Sequence, residues 1–203
     1  MSYRLIVMDP PWGTDRGGGG RGAQEHYQLA RAGDEWRIVM MSGAFRPHED
    51  GCLVWCWCTA LSRHLVPTLF ERLGVRDTGC EMVWCKGEVV LLAEQREPGT
   101  VVHRAELVQQ VGLGQYVMTG HEYARLGVVG RVPTPVPYRP MSWLLSKRGR
   151  HSAKPDEAYA EWLEMARALW PDEDLRAIEL FARDARPGWE AWGNEAPAAP
   201  VEA

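Results

Sequence analysis

The sequence predicts an α/β protein with a mostly parallel sheet, on three observations. Short apolar, β-branched runs alternate with stretches of helical apolar spacing along the 203 residues. One of these runs, Cys52–Cys58 (CLVWCWC), is apolar on both faces, as a central strand covered from both sides would be. The first run stops at two consecutive prolines, Pro10 and Pro11, so the residues there sit at a strand end, where open sheets bind ligands.

Taken in order, Tyr3–Met8 (YRLIVM) reads as a buried strand. Residues 13–25 carry Gly17 to Gly20 between Arg16 and Arg21 and are expected to form a flexible loop. Asp34–Met41 suits a short helix with Asp34 near its N-cap. After the Cys52–Cys58 strand, Leu61, Leu65, Leu69 and Leu73 recur at helical spacing over Thr59–Leu73, and Gly74 ends the helix. Glu81–Cys85 reads as a strand, whereas residues 86–114 are less regular and are expected to form a long mobile segment. Gln115–Met118 and Tyr123–Val129 read as strands, the second ended by Gly130. Pro133, Pro135, Pro137 and Pro140 punctuate a loop. Lys154–Leu169 predicts a helix with proline in its first turn, and Leu175–Phe181 a last strand. The expectation is one domain over residues 1–195 and a disordered tail over 196–203.

The composition narrows the function classes. The net charge is −4, so any contact with nucleic acid must run through a local positive patch. The tight basic cluster is Ser146-Lys147-Arg148-Gly149-Arg150-His151, which could meet phosphates or be a solvated loop. No apolar run reaches the roughly 18 residues that cross a bilayer, and no signal peptide is expected at the start. Five cysteines, Cys52, Cys56, Cys58, Cys80 and Cys85, lack the spacing of paired metal knuckles. Small buried thiols in a reducing cytoplasm explain them, with a zinc site as the alternative.

The chemistry-bearing motif is Asp9-Pro10-Pro11-Trp12. Two prolines fix φ twice and offer carbonyls but no N–H. A carboxylate and a peptide oxygen can then converge, with an indole face beside them. Such a group suits a planar heteroaromatic amine, because two acceptors can take its two hydrogens. The nitrogen lone pair, otherwise delocalised into the ring, is then directed at an electrophile. A strand-ending turn with a packed tryptophan is the purely structural alternative.

The tetrapeptide resembles that of the MT-A70 family, the adenine-N6 methyltransferases of RNA and DNA, and the likeness extends from residue 4 to residue 195. His26-Tyr27-Gln28-Leu29 resembles the family's tyrosine segment after its active-site loop. His121-Glu122 with Leu126-Gly127-Val128-Val129-Gly130-Arg131 resembles a family strand. His151-Ser152-Ala153-Lys154-Pro155-Asp156-Glu157 resembles a helix start. Ile178-Glu179-Leu180-Phe181-Ala182-Arg183, then Pro187-Gly188-Trp189 and Trp192-Gly193-Asn194-Glu195, resembles the family's ending.

The resemblance implies a Rossmann-like methyltransferase fold in permuted order, the catalytic motif N-terminal and the cofactor-binding strand C-terminal. It implies S-adenosylmethionine as methyl donor. Asp9, Pro10, Pro11 and Trp12 would form the catalytic corner, with Trp12 stacking on adenine. Asp9 and Lys154 would meet the cofactor's amino-acid end. Glu179, Leu180, Phe181, Arg183, Asn194 and Glu195 would line its ribose and adenine. Tyr27, His121, Arg148, Arg150 and His151 would contact substrate, His121 having the alternative of a packed sheet histidine. The partner expected is nucleic acid, DNA before RNA, with no membrane and with homodimerisation open. A non-catalytic binding module and a protein-amide methyltransferase are the competing readings.

Overall fold

The computed structural model describes residues 2–12, 35–97, 100–112, 116–149 and 153–196. The glycine loop, Tyr27, Arg150, His151 and the tail beyond Ala196 lie outside the described residues. The elements are β1 (Leu5–Met8), α1 (Glu35–Met41), β2 (Cys52–Cys58), α2 (Val66–Arg72), β3 (Arg76–Glu97), β4 (Thr100–Gln109), β5 (His121–Val129), β6 (Trp143–Ser146), α3 (Asp156–Leu169), β7 (Ala177–Leu180) and β8 (Trp189–Trp192).

One mixed α/β sheet joins all eight strands. β1 runs parallel to β2 on one side and to β7 on the other, with Met8 level with Cys56 and Leu180. β8 adds in parallel to β7, and β6 in parallel to β3. β5 is antiparallel to both β2 and β3. The first half of β3 pairs with β5 and its second half with β4.

Strand alternation sorts the core into two layers. Ile6 and Met8, with Cys52, Val54, Cys56 and Cys58, face Leu69 and Phe70 of α2. Leu5, Val7, Leu53, Trp55 and Trp57 face Ala158, Tyr159, Trp162 and Met165 of α3. Trp55 stacks on Trp162 with ring centroids 4.6 Å apart. The three thiols of β2 therefore share one buried face, and burial pushes the Cys52 and Cys58 thiols up to about 12.

Several predicted elements need correction. The described residues of 86–114 are not a long mobile segment: most of them form a β-hairpin from β3 into β4. The alternation was hidden because both faces of this ribbon meet solvent, so apolar side chains occur on each. Gln115 lies outside the described residues, and Tyr116–Met118 is not a strand. Tyr116 is 96% exposed and sits in a bend, while a single bridge between Gly112 and Thr119 closes the excursion. The helix expected over Thr59–Leu73 contracts to a 3₁₀ turn at Arg63–Leu65 followed by α2, because Pro67 can only enter a first turn. α3 starts at Asp156, with Pro155 in extended conformation as its N-cap. β6 and β8 were not expected; each is only four residues long and lies beside proline or glycine. No described helix is long and apolar enough to cross a membrane.

Candidate active site

At the carboxyl end of β1 the Asp9 N–H donates to the Leu180 carbonyl at 3.3 Å, continuing the ladder with β7 by one residue. The prolines then end the strand. Asp9 Oδ2 lies 3.0 Å from Lys154 Nζ, delivered by the residue just before the α3 cap. The same ammonium donates to Glu122 Oε2 of β5 at 2.8 Å. Glu122 Oε1 in turn accepts from Lys86 Nζ of β3 at 2.5 Å. Four alternating charges, Asp9, Lys154, Glu122 and Lys86, are thus drawn from four separate parts of the fold into one line.

The line is poorly hydrated; the Lys154 side chain is 9% exposed. Burial works against ionised Glu122, but the two flanking ammoniums outweigh it and hold its carboxyl at about 2. Burial likewise opposes the Lys154 charge, yet Asp9 and Glu122 together raise its pKa above that of an ordinary lysine. Asp9 is the exception. Burial pushes its carboxyl up, Lys154 only partly counters this, and the Glu122 charge adds repulsion. Asp9 is therefore the most proton-avid carboxylate of the line, held next to a permanent cation.

Trp12 is fixed rather than free. Its Nε1–H donates to the Trp57 carbonyl at 3.0 Å, at the end of β2, and the residue is 7% exposed. Pro10 and Pro11 are buried beside it. The Lys154 ammonium also stands 5.5 Å over the Trp57 ring.

The β7 end supplies the opposite wall. Phe181 has φ 65, a left-handed residue that turns the chain sharply after the strand, and its ring meets Trp192 edge-on at 5.4 Å. Ala182 N–H donates to the Trp192 carbonyl at 3.0 Å. A Cβ on Gly193 would lie 3.0 Å from the Ala182 nitrogen, tighter than most such contacts, so the absence of a side chain there favours this close approach of the two turns. Arg183 Nε is thereby set 3.1 Å from Glu195 Oε2, with Asn194 in the same turn. Leu180 points into the core and is fully buried.

Glu179 is buried, and both of its oxygens are engaged. Tyr159 OH donates to one at 2.6 Å and Arg186 pairs with the other. Arg186 also donates to Asp156 Oδ1 at 2.9 Å and to the Lys154 carbonyl at 3.3 Å. Glu179 therefore helps tie the start of α3, and with it Lys154, to β7.

Asp9, Lys154, Glu179, Phe181, Arg183 and Arg186 line one narrow recess. It shares Lys154 and Arg186 with an open cleft of about 610 Å³ that runs past Tyr159, Pro187 and Trp189. The donor set fits S-adenosylmethionine. Asp9 is an anion for an ammonium and a sulfonium, Lys154 a cation for a carboxylate, and the Arg183–Glu195 turn brings polar groups suited to ribose hydroxyls.

His121 reaches the same end of the sheet but on the other face from Glu122. Its Nε2 is 2.9 Å from Tyr123 OH, and Tyr123 lies under the Arg63 guanidinium at 4.7 Å. Arg148 is exposed, its backbone N–H donating to the Gln110 side chain at 2.6 Å, and Lys147 pairs with Glu88 at 2.7 Å. The described part of the basic cluster thus sits beside the hairpin base, where Lys147 and Gly149 line the same open cleft as Lys154 and Arg186.

Glu122, Lys86, Tyr159 and Arg186 were not singled out from the sequence. Alternation could have found two of them. Glu122 shares parity with the buried Ala124, Leu126 and Val128, and Lys86 with the buried Met82 and Trp84. A charge on the apolar parity of a strand must be paired, and so belongs to a site. Among the described residues no cluster of His, Cys, Asp and Glu is disposed to hold a metal ion.

The family model described as MT-A70 matches residues 3–195. The chain is also similar to the type II methyltransferase M.MunI of Mycoplasma sp, 27% identical over 217 residues that cover 98% of this chain and 80% of that protein.

Proposed function

Because the chain belongs to the MT-A70 family, we propose that it is an S-adenosylmethionine-dependent methyltransferase acting on the N6 amine of adenine in DNA. The observation that carries this reading is the Asp9 carboxylate at the end of β1, paired at 3.0 Å with Lys154 in a recess walled by the β7 turn. The likeness to a type II methyltransferase favours DNA over RNA as the polymer. On this reading residues 1–195 act as one methyltransferase domain, working in the cytoplasm. The sheet is then Rossmann-like in permuted order, with the catalytic strand β1 early in the chain and the cofactor strand β7 late.

The target adenine leaves the helix stack to reach Asp9, at a cost of a few kcal/mol. The Asp9 carboxylate and the Pro10 carbonyl accept the two amine hydrogens, and Trp12 forms a wall against the base. These acceptors localise the nitrogen lone pair. The bound donor supplies an electrophilic methyl group on a sulfonium. As the C–N bond forms and the methyl–sulfur bond breaks, releasing a neutral thioether, the nitrogen would become cationic and acidic, and one proton would pass to the Asp9 carboxylate or through it to water. The raised proton affinity of Asp9 suits that step. Lys154 keeps Asp9 ionised beforehand and is the cation for the donor's carboxylate. Arg183, Asn194 and Glu195 hold its nucleoside end, Phe181 and the Leu180 backbone shape the turn, and Glu179 steadies Lys154 through Arg186. His121, Tyr27, Arg148, Arg150 and His151 are proposed on the substrate side.

Incubating the protein with methyl-labelled S-adenosylmethionine and DNA or RNA oligomers tests the reading. Label should enter DNA in preference to RNA. Label in neither polymer, or in protein alone, would overturn it.

A further inference from the structure

The β3–β4 ribbon stands out from the sheet with an open edge. Among the described residues β3 is the only strand that pairs with β4, leaving the outer N–H and C=O groups of β4 without a strand partner. Natural proteins usually blunt such an edge with proline, a bulge or inward charge. The irregularity here falls between Gln95 and Glu97, at the far end of the ribbon from Gln109, and the stretch from Arg104 to Gln109 contains no proline. One face of the ribbon is also apolar and exposed. Leu91 stands opposite Ala105 and Val89 opposite Leu107 in the register. Leu91 is 72%, Leu107 60% and Val89 54% exposed. Apolar side chains grouped like this on a protruding arm mark a contact surface.

The charges on β4 select the occupant. The Gln110 N–H donates to the Lys86 carbonyl at 2.8 Å, so even-numbered residues of β4 form the hydrogen-bonded pairs with β3. The odd-numbered residues therefore turn their backbone groups outward. A second copy of β4 approaching antiparallel about a two-fold axis must pair odd residues with odd. Only a few registers near the strand centre meet that condition. Centring on residue 104 sets Arg104 against Arg104, and centring on Glu106 sets Glu106 against Glu106; both are repulsive. Centring on Ala105 sets Arg104 against Glu106 of the second copy, twice, and these become the closer, non-hydrogen-bonded pairs. Arg104 and Glu106 already pair at 3.1 Å along their own strand. The two-fold would therefore close a ring of four alternating charges.

We infer that two copies of this chain dimerise by antiparallel pairing of their β4 edges, centred on Ala105 and selected by reciprocal Arg104–Glu106 pairs. The arms then fuse into one four-stranded ribbon, and the apolar stripes of Leu91, Ala105 and Leu107 run on from one copy to the other. The symmetry is isologous and closed, so association stops at two. The site at Asp9 belongs to each copy separately, and dimerisation does not depend on what it methylates.

Charge exchange tests the inference, with mass in solution read by light scattering. Wild type should be a dimer at micromolar concentration. Arg104→Glu alone and Glu106→Arg alone should each be monomeric, because each places like charges opposite one another. Mixing the two single variants should restore a dimer, now a heterodimer, and the double exchange R104E/E106R should restore a homodimer. A monomeric wild type, single variants that remain dimeric, or a failure of both rescues would overturn the proposal. Circular dichroism on each variant separates lost pairing from lost folding, and the heterodimer arm requires folded partners.

Discussion

At the scale of the residue, function rests on unequal environments for similar groups. Asp9 and Glu122 both touch Lys154, at 3.0 and 2.8 Å, yet Glu122 is held at about 2 while Asp9 is pushed up. Glu122 has two ammonium partners; Asp9 shares one and is repelled by Glu122. The sign of a test follows. On the proposed function Asp9 must be ionised to accept an amine hydrogen, so its pKa would set the acid limb of the rate profile. Glu122→Gln removes the repelling charge and leaves Lys154 to Asp9 alone. The acid limb of kcat/KM should then move to lower pH. A limb that stays in place, or moves to higher pH, would show that Asp9 is not the group that titrates. The sequence made Asp9 legible, because its neighbours on either side are a strand and a diproline. It left Glu122 illegible, because a polar pair at the start of a strand is locally indistinguishable from a solvent-facing one, and only parity with the buried Ala124, Leu126 and Val128 marks Glu122 as inward.

At the scale of the element, the site depends on strands that stop together and on a helix that starts beside them. β1 and β2 were legible because a strand buried on both faces is an unbroken apolar run, as Cys52–Cys58 is, and β7 because apolar residues flank its one charge, Glu179. The ribbon of β3 and β4 was not, because neither face is buried and the period carries no signal. β5 is legible over Tyr123–Val129 but starts two residues earlier, at His121, where polar residues hide the pairing. β5 also carries a close contact that tests the packing. A Cβ at Gly127 would stand 2.3 Å from Val75 Cγ1 and 2.8 Å from Phe70 Cε2, where β5 passes over the end of α2. Gly127→Ala should destabilise by about 1–3 kcal/mol, because overpacking forces shifts of backbone and side chains. For a chain of this size that lowers Tm by roughly 2–12 °C. An unchanged melting curve would place β5 farther from α2 than described.

At the scale of the whole molecule, the sheet gathers distant sequence into one place. Asp9, Lys86, Glu122 and Lys154 are separated by up to 145 positions and meet because β1, β3, β5 and the head of α3 share one end of one sheet. The net charge of −4 is compatible with this, since the local cations are spent on carboxylates within the chain. The fold class was legible from the alternation of runs, and the recess was legible at its two chain ends, the Asp9 corner and the Arg183–Glu195 turn. The connecting network was not, because hydrogen bonds such as Tyr159 to Glu179 pair residues whose own local patterns are those of an ordinary helix and strand. The central claim is that Asp9 directs methyl transfer to the adenine amine. Nucleoside mass spectrometry of DNA treated with the protein and S-adenosylmethionine, beside an Asp9→Ala variant of unchanged Tm, measures it. N6-methyladenine should appear with wild type and fall at least a hundredfold in the variant. The modified base persisting in the variant, or the methyl group arriving on a base other than adenine, would contradict the account.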